Sequence, residues 1–273
     1  PVFIFVLNMG VQGAALATVI SQFLSAAWVL RFLTGKQAIY RLKPEPIRLQ
    51  KRLVGQISAL GLSGFMMAVT NSAVQIICNA TLQQFGGDLY VGIMTVINSI
   101  REVLTMPVNG LTNGAQPEMG YNYGAHLYSR VRSGIRFTSI VCILYTTLAW
   151  IILMMAPEFF IHIFNSDPEL ITDGVPALNL YFFGFFMMSL QFSGQSVFVA
   201  LGKSKQAVFF SLLRKAVINA PLTVILPIWI GTTGVFTAEA VSQLIGGLAC
   251  ILTMYFTVYR PLGSLPDQPL ERV

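Results

Sequence analysis

The amino-acid sequence predicts an all-α helix bundle that crosses a membrane several times. Three observations favour this fold class: 55% of the residues are hydrophobic, only 10% are charged, and the mean hydropathy is +0.68. A soluble domain carries about 25% charged residues, because its surface must remain hydrated. The sequence also lacks the short alternating segments of about ten residues that are typical of a membrane β-barrel. We therefore expect a polytopic membrane protein.

Seven apolar runs have close to the roughly 20 residues that an α-helix needs to cross the hydrocarbon core. Each run is predicted to be helical, because in hydrocarbon the backbone must satisfy its own polar groups. Pro107 in the third run, and Pro221 and Pro227 in the sixth, predict internal breaks. The predicted spans are residues 11–33, 53–82, 89–115, 136–156, 175–201, 206–230 and 234–258.

The basic residues collect on one side of this topology. The connections on the other side hold no Lys or Arg and carry the acidic residues Asp88, Glu158, Asp167, Glu169 and Asp173. This positive-inside pattern predicts a multi-pass protein of the plasma membrane with a cytoplasmic C-terminus. We attribute the net charge of +6 to topology rather than to nucleic-acid binding. All but one of the 17 Lys and Arg residues belong to the basic side: Arg31, Lys36, Arg41, Lys43, Arg48, Lys51, Arg52, Arg130, Arg132, Arg136, Lys203, Lys205, Arg214, Lys215, Arg260 and Arg272.

The cysteines and histidines form no recognisable metal or redox motif. Cys78, Cys142 and Cys250 fall inside predicted spans, and no CxxC pair occurs. His126 and His162 stand alone in loops on opposite sides of the membrane. We therefore expect buried free thiols, no metal site and no cofactor.

An internal repeat divides the chain into parts of two lobes. Gly10–Ala26 matches Gly231–Gly247 at a constant offset of 221 residues, and both segments open spans that run in the same direction. Equal direction predicts a parallel repeat about an axis normal to the membrane. The apolar run Pro1–Leu7 is interpreted as the end of an earlier span. We expect the end of a preceding lobe at 1–33, a cytoplasmic linker at 34–52, a complete six-helix lobe at 53–260 and a cytoplasmic tail at 261–273.

Polar side chains inside spans are costly in hydrocarbon and therefore mark candidate functional positions. In the second, third and fifth spans they recur at helical spacing, which predicts a cavity lined by amide, methionine and aromatic groups. Such a surface suits lipophilic or cationic small molecules. Hydrogen bonding between packed helices is the alternative for each amide. The predicted substrate-binding residues are Asn71, Gln75, Asn98, Glu102, Met188, Gln191 and Gln195.

Three charged residues inside spans are candidates for ion coupling. Arg101 and Glu102 lie at the middle of the third span, where an unpaired charge is expensive. Neighbouring helical residues point about 100° apart, so each needs another partner or water. A buried ion pair with another helix is the alternative to a functional role. Glu239 lies near the outer end of the seventh span, and exposure at the outer mouth is its alternative interpretation.

Three segments resemble the multidrug and toxic compound extrusion (MATE) family: Gly10–Gln22, Gly114–Ala125 and Ala200–Pro227. The most specific element is Pro117–Ala125, PEMGYNYGA, which is expected to form a bend after the third span. The likeness covers essentially the whole chain, in the order that the family shows from its fifth helix to its twelfth.

The resemblance implies a V-shaped bundle of two six-helix lobes that extrudes drugs or toxic organic cations. Inward flow of H⁺ or Na⁺ would drive this antiport. One branch of the family has a coupling acid in its seventh helix, but the matching second span here offers Asn71 and Gln75. The other branch has its key acid in the first helix. This sequence is more similar to that second, DinF-like bacterial multidrug branch.

Three other functions are less consistent with the sequence. A lipid-linked oligosaccharide flippase of the same superfamily would need a larger and more cationic cavity, for which the sequence offers Arg101 alone. A seven-span receptor agrees with the helix count but not with the internal repeat. A membrane-embedded enzyme would need clustered His, Asp or Cys, and the sequence shows no such cluster, so a transporter is expected.

Overall fold

The computed structural model describes residue 3 and residues 9–35 and 50–267, and within them the chain is helical without strands. The predicted all-α class is therefore confirmed. The chain divides into two compact units, Pro1–Gly55 and Gln56–Val273. The first unit holds α1 (Gly10–Thr34). Most of the predicted linker, and residues 268–273 of the tail, lie outside the described residues.

Helix α2 (Lys51–Gly124) is interrupted at Gly87, whose φ of 68° and ψ of −163° are not helical. A positive φ is accessible to glycine at little cost because glycine has no Cβ. As a straight helix, 74 residues would extend about 110 Å. Gln75 and Asn98 nevertheless line the same cavity, so the chain folds back at Gly87. We call residues 51–86 and 88–124 the first and second arms of α2.

The remaining helices follow with short connections. Within residues 50–267, π-helical segments occur at Leu213–Asn219, between α7 and α8, and at Tyr255–Tyr259, between α9 and α10. The α-helices are α3 (Tyr128–Met155), α4 (Pro157–His162), α5 (Pro168–Phe182), α6 (Phe185–Ala200), α7 (Ser204–Leu212), α8 (Ala220–Ile230), α9 (Thr233–Met254) and α10 (Arg260–Leu262).

The described residues contain five stretches long and apolar enough to cross a membrane, or six if α5 and α6, bent by 43°, form one span. The second and third of the seven predicted spans fall within the two arms of α2, which is counted here as a single stretch. The predicted boundaries also differ. The fourth predicted span begins at Tyr128 rather than at residue 136, and the fifth is divided between α5 and α6.

The breaks predicted at Pro107 and Pro221 do not occur at those residues, and the bend predicted within Pro117–Ala125 lies at and beyond its end. Helix α2 continues through Pro107 to Gly124, so the expected bend of the Pro117–Ala125 element lies just beyond the helix, at residues 125–127. Near Pro221 the irregularity precedes the proline, as the π-helical segment Leu213–Asn219. A proline ring clashes with the carbonyl group four residues earlier, and the wider π turn relieves that clash.

Two apolar clusters hold the second unit together. One is centred on large buried side chains such as Phe182, Phe185 and Phe236. The other includes Met119 and Phe198. The three cysteines are free and buried, as predicted.

The two ends of the second unit are marked by specific contacts. At one end the Gly87 break approaches the turn between α8 and α9, where a Cβ on Gly86 would lie 2.6 Å from Thr232 Cγ2. At the other end Asp267 accepts hydrogen bonds from the N–H and hydroxyl groups of Ser129. These bonds hold the pKa of Asp267 below its usual range.

The two copies of the sequence repeat share backbone features. Gly10 and Gly231, which occupy the same repeat position, have φ of 53° and 63°. The next matched pair, Gly13 and Gly234, also lacks room for a side chain. A Cβ there would lie 2.7 Å from the carbonyl oxygen of Phe3 or 2.5 Å from the nitrogen of Pro227. This shared geometry supports the repeat inferred from the sequence.

Candidate functional site

A cavity of about 710 Å³ lies in the second unit, between the two arms of α2, α5, α6, α9 and the segment from α7 to Asn219. Its volume is within the range of small-molecule sites, roughly 300–1,000 Å³. The structure brings all the predicted substrate-binding and ion-coupling residues to its wall: Asn71, Gln75, Asn98, Arg101, Glu102, Met188, Gln191, Gln195 and Glu239.

The two arms of α2 supply polar side chains to opposite parts of this wall. On the first arm, Gln75 Nε2 donates a hydrogen bond to Asn79 Oδ1 at 3.2 Å. On the second arm, Asn98, Glu102 and Asn109 lie at helical spacing and all line the cavity. The amphipathic pattern of each arm explains why these residues face one another across a shared space.

The amides of α6 both line the cavity and join helices. Gln195 Nε2 donates to the carbonyl oxygen of Ala207 at 3.1 Å, and Gln191 Nε2 lies 3.5 Å from that of Phe210. The interhelical bonding that was the alternative for these residues therefore occurs in addition to their place at the cavity. Gln191 Oε1 is buried and has no hydrogen-bond partner among the described atoms. Met188 is buried and belongs to the apolar cluster that includes Phe182 and Phe185.

Glu239 is buried, with 5% of its surface exposed, so the alternative of exposure at the outer mouth is wrong. Lys215 Nζ lies 3.1 and 3.2 Å from its two carboxylate oxygens, and Arg214 lies 3.4 Å from Oε1. Asn219 Nδ2 donates to Oε2 at 2.5 Å, and Gln243 Nε2 donates to Oε1 at 3.3 Å. The carboxylate thus has neighbours on both oxygens, as a charge in a membrane interior requires.

Arg214 and Lys215 were assigned to the basic side of the membrane from the sequence, and this assignment is wrong. Both are buried, with 8% and 7% of their surface exposed, and both form ion pairs with the buried carboxylate of Glu239. Adjacent residues of a regular α-helix diverge by about 100°. Arg214 and Lys215 belong instead to the π-helical segment Leu213–Asn219, and its wider turn lets both side chains reach Glu239 on α9.

The polar network continues from Glu239 to the first arm of α2. Thr223 Oγ1 donates to Asn219 Oδ1 at 3.2 Å, and it also lies 3.9 Å from Cys78 Sγ. Lys215, Asn219 and Thr223 occur at i, i+4 and i+8, which places them on one face. This spacing, and the depth of Arg214 and Lys215 within the predicted span 206–230, were the sequence features that could have revealed the network.

Arg101 and Glu102 differ in their surroundings. Within the part of the chain that the structure describes, neither has an oppositely charged atom within 4.0 Å, so the alternative of a buried ion pair with another helix is not found there. Arg101 is half-buried and interacts electrostatically with Tyr181 and Glu239. Glu102 is exposed on the cavity side of the second arm.

Glycines allow α9 to approach its neighbours closely around the network. A Cβ on Gly246 would lie 2.8 Å from Arg214 Cγ, and one on Gly247 would overlap the carbonyl oxygen of Met187 in α6. Small residues at such contacts are typical of packed membrane helices. Among the described residues, no group of three or more His, Cys, Asp or Glu side chains could hold a metal ion.

Comparison with known proteins gives consistent results. The MatE family model matches residues 63–225. The chain is 22% identical over 261 residues to the multidrug export protein MepA of Staphylococcus haemolyticus, covering 95% of this chain and 56% of that protein. It is 21% identical over 257 residues to MepA of Staphylococcus aureus strain MSSA476, covering 93% and 56%. The chain therefore spans about half the length of these curated relatives.

Solved structures show the same fold at low sequence identity. A crystal structure of MATE in complex with MaL6 superposes with a TM-score of 0.86 at 16% identity, covering 96% of this chain and 60% of that chain. An outward-facing multidrug resistance MATE family transporter of the MOP superfamily gives 0.85 at 16% identity, covering 96% and 59%. The resemblance found in the sequence is thereby confirmed.

Proposed function

Since the chain belongs to the MatE family, we propose that it forms one lobe of a secondary transporter that exports several drugs or toxic organic molecules from the cell. The observation that carries this proposal is the shared cavity, because residues from six separate regions of sequence converge on it. The relatives named as multidrug export proteins support the same activity. The family is one of transporters rather than enzymes.

The lining supports recognition of varied organic molecules rather than of one ligand. Amides such as Asn71 and Asn98 offer donors and acceptors, and Met67, Met106 and Phe192 offer adaptable apolar surface. Methionine side chains are flexible and polarisable, so they repack around different shapes. The predicted substrate is lipophilic or cationic, and the exposed Glu102 carboxylate is the group that would attract a cation.

We propose that inward movement of H⁺ or Na⁺ drives export, with Glu102, Arg101 and Glu239 as the candidate coupling residues. Glu102 is accessible from the cavity without any rearrangement. Glu239 is held by Lys215 and Arg214, so an incoming cation must compete with those side chains. A carboxylate with two competing sets of partners is a two-state element of the kind that coupling requires.

We propose that the lobe lies in the plasma membrane with its C-terminus in the cytoplasm. The basic residues Arg130, Lys203 and Arg260 belong to the end of the second unit where Asp267 contacts Ser129. Acidic residues, including Asp88, follow the Gly87 break at the other end. This division supports the orientation given by the positive-inside rule.

The proposal is tested by measuring efflux of ethidium, a lipophilic cation, from efflux-deficient cells that express the complete gene. Glu102→Gln should lower the initial rate by about tenfold, because it removes the exposed negative charge that would attract the cation. Glu158→Gln, at an exposed acid that does not line the cavity, is the matched control and should transport normally. Unchanged efflux by Glu102→Gln at equal membrane abundance would exclude Glu102 from the transport site.

A flippase for a lipid-linked oligosaccharide is the second candidate, and one observation favours it. The cavity wall contains Arg214 and Lys215 in addition to Arg101, so it is more cationic than the sequence suggested.

A further inference from the structure

The positive charges that line the cavity outnumber the negative charges. Three cations line it, Arg101 from the second arm of α2 and Arg214 and Lys215 from the π-helical segment. Two carboxylates line it, Glu239 and Glu102, and Glu102 is exposed. The buried and half-buried charges therefore carry an excess of positive charge.

The carboxylate of Glu239 pairs closely with only one of these three cations. Its shortest ion-pair contacts are with Lys215, whereas Arg214 reaches it only at 3.4 Å. Arg214 Nε is buried and has no hydrogen-bond partner among the described atoms. Arg101 forms no ion pair within the described part of the chain, yet it is close enough to interact electrostatically with Arg214, Lys215 and Glu239.

Such an arrangement is costly unless an anion completes it. A cation inside the membrane requires a counter-charge, backbone carbonyl groups or water. A guanidinium group has five N–H donors in a planar fork that matches carboxylate and phosphate oxygens. Two guanidinium groups and an ammonium group that line one cavity and interact electrostatically form a site for an oxyanion.

We propose that Arg101, Arg214 and Lys215 bind an oxyanion of the transported molecule, so that the transporter exports amphiphiles bearing a carboxylate or phosphate group. This inference rests on the proposed export function and specifies its substrate class. Glu102 lies on the open side of the cavity, so a zwitterion can place its positive group there. The oxyanion can belong to a small amphiphilic acid or to a lipid headgroup.

Arg101 is the residue of choice for the test. Its removal leaves no ion-paired carboxylate without its partner, whereas loss of Arg214 or Lys215 would disturb Glu239. Arg101→Gln removes the charge, and Arg101→Lys keeps it. Arg130→Gln, at an exposed arginine that does not line this cavity, is the matched control.

The probes are a rhodamine with a free carboxylate and the methyl ester of the same dye. We expect cells expressing the complete gene to export both dyes, and we expect Arg101→Gln to lower the ratio of acid efflux to ester efflux about tenfold, because a loss of ion coupling would lower both rates equally. Arg101→Lys should retain most export of the acid. Equal losses for acid and ester, or export of the ester with no export of the acid, would overturn the inference and leave the proposed export function standing.

A second experiment distinguishes the possible sources of the oxyanion. Purified protein in vesicles of phosphatidylcholine is tested for transfer of a fluorescent phosphatidylglycerol between leaflets. Transfer by the wild type that Arg101→Gln abolishes, without export of either dye, assigns the oxyanion to a lipid and favours the flippase. Failure to move both dyes and the lipid would reject the export function and this inference together.

Discussion

Replacement of Glu239 by glutamine should lower the free energy of unfolding by about 3 kcal/mol. Glutamine preserves the size of the side chain and can still accept from Asn219, so the change isolates the charge. Loss of the negative charge of Glu239 leaves Lys215 and Arg214 buried without a counter-ion. The measurement is thermal unfolding of the purified protein in detergent, compared with Glu102→Gln. That control removes an exposed carboxylate without an ion pair among the described residues and should change stability by less than about 0.5 kcal/mol.

A second variant separates the ion network from simple packing. Adding Lys215→Met to Glu239→Gln removes the cation with the shortest ion-pair contacts to Glu239 and keeps a long apolar side chain. The double variant should be more stable than Glu239→Gln, because residues in one network have non-additive effects. Equal stability of Glu239→Gln and Glu102→Gln would show that the contacts of Glu239 contribute nothing to the fold.

Replacement of Gly247 by alanine should destabilise the lobe by about 2 kcal/mol. A Cβ at this position would overlap the carbonyl oxygen of Met187, so α6 and α9 must move apart. Backbone atoms cannot relieve the overlap by a change of rotamer, unlike the end of a flexible side chain. Gly246, the neighbouring residue, contacts Arg214, so separation of the helices should also loosen the ion network.

The control for Gly247→Ala is Gly110→Ala in the second arm of α2. A Cβ on Gly110 would have no neighbour within 4 Å, and alanine is the better helix former by about 1 kcal/mol. Gly110→Ala should therefore match or exceed the wild type in thermal unfolding. Wild-type stability of Gly247→Ala would show that the close approach of α6 and α9 is not required.

The sequence predicted the helical class and the set of polar residues at the cavity because both follow from periodicity. Residues such as Gln75 and Asn98 are spaced so that each helix turns them to one face, and the fold at Gly87 brings those faces together. Their roles in binding remain predictions. Hydropathy alone did not show that the second and third predicted spans are the two arms of one helix interrupted at Gly87.

The ion network escaped prediction for a different reason. A basic residue near the end of an apolar run is usually read as a marker of the cytoplasmic side, and Arg214 and Lys215 fit that pattern. What places them in the interior is Glu239, a carboxylate on the next helix, together with a π-helical turn. The spacing of Lys215, Asn219 and Thr223 indicated a polar face, but the pairing of that face with Glu239 depends on packing between helices.

The central claim is that the cavity of the second unit is the path of the exported molecule. The most direct test uses Ser72→Cys, at an exposed position on the cavity wall, in a protein whose native cysteines are replaced by alanine. A bulky thiol reagent should block ethidium efflux through this variant, and excess ethidium should slow the labelling. Ser99→Cys, on α2 but outside the cavity wall, should show neither effect. Normal efflux after complete labelling of Ser72→Cys, with no protection by ethidium, would contradict the claim.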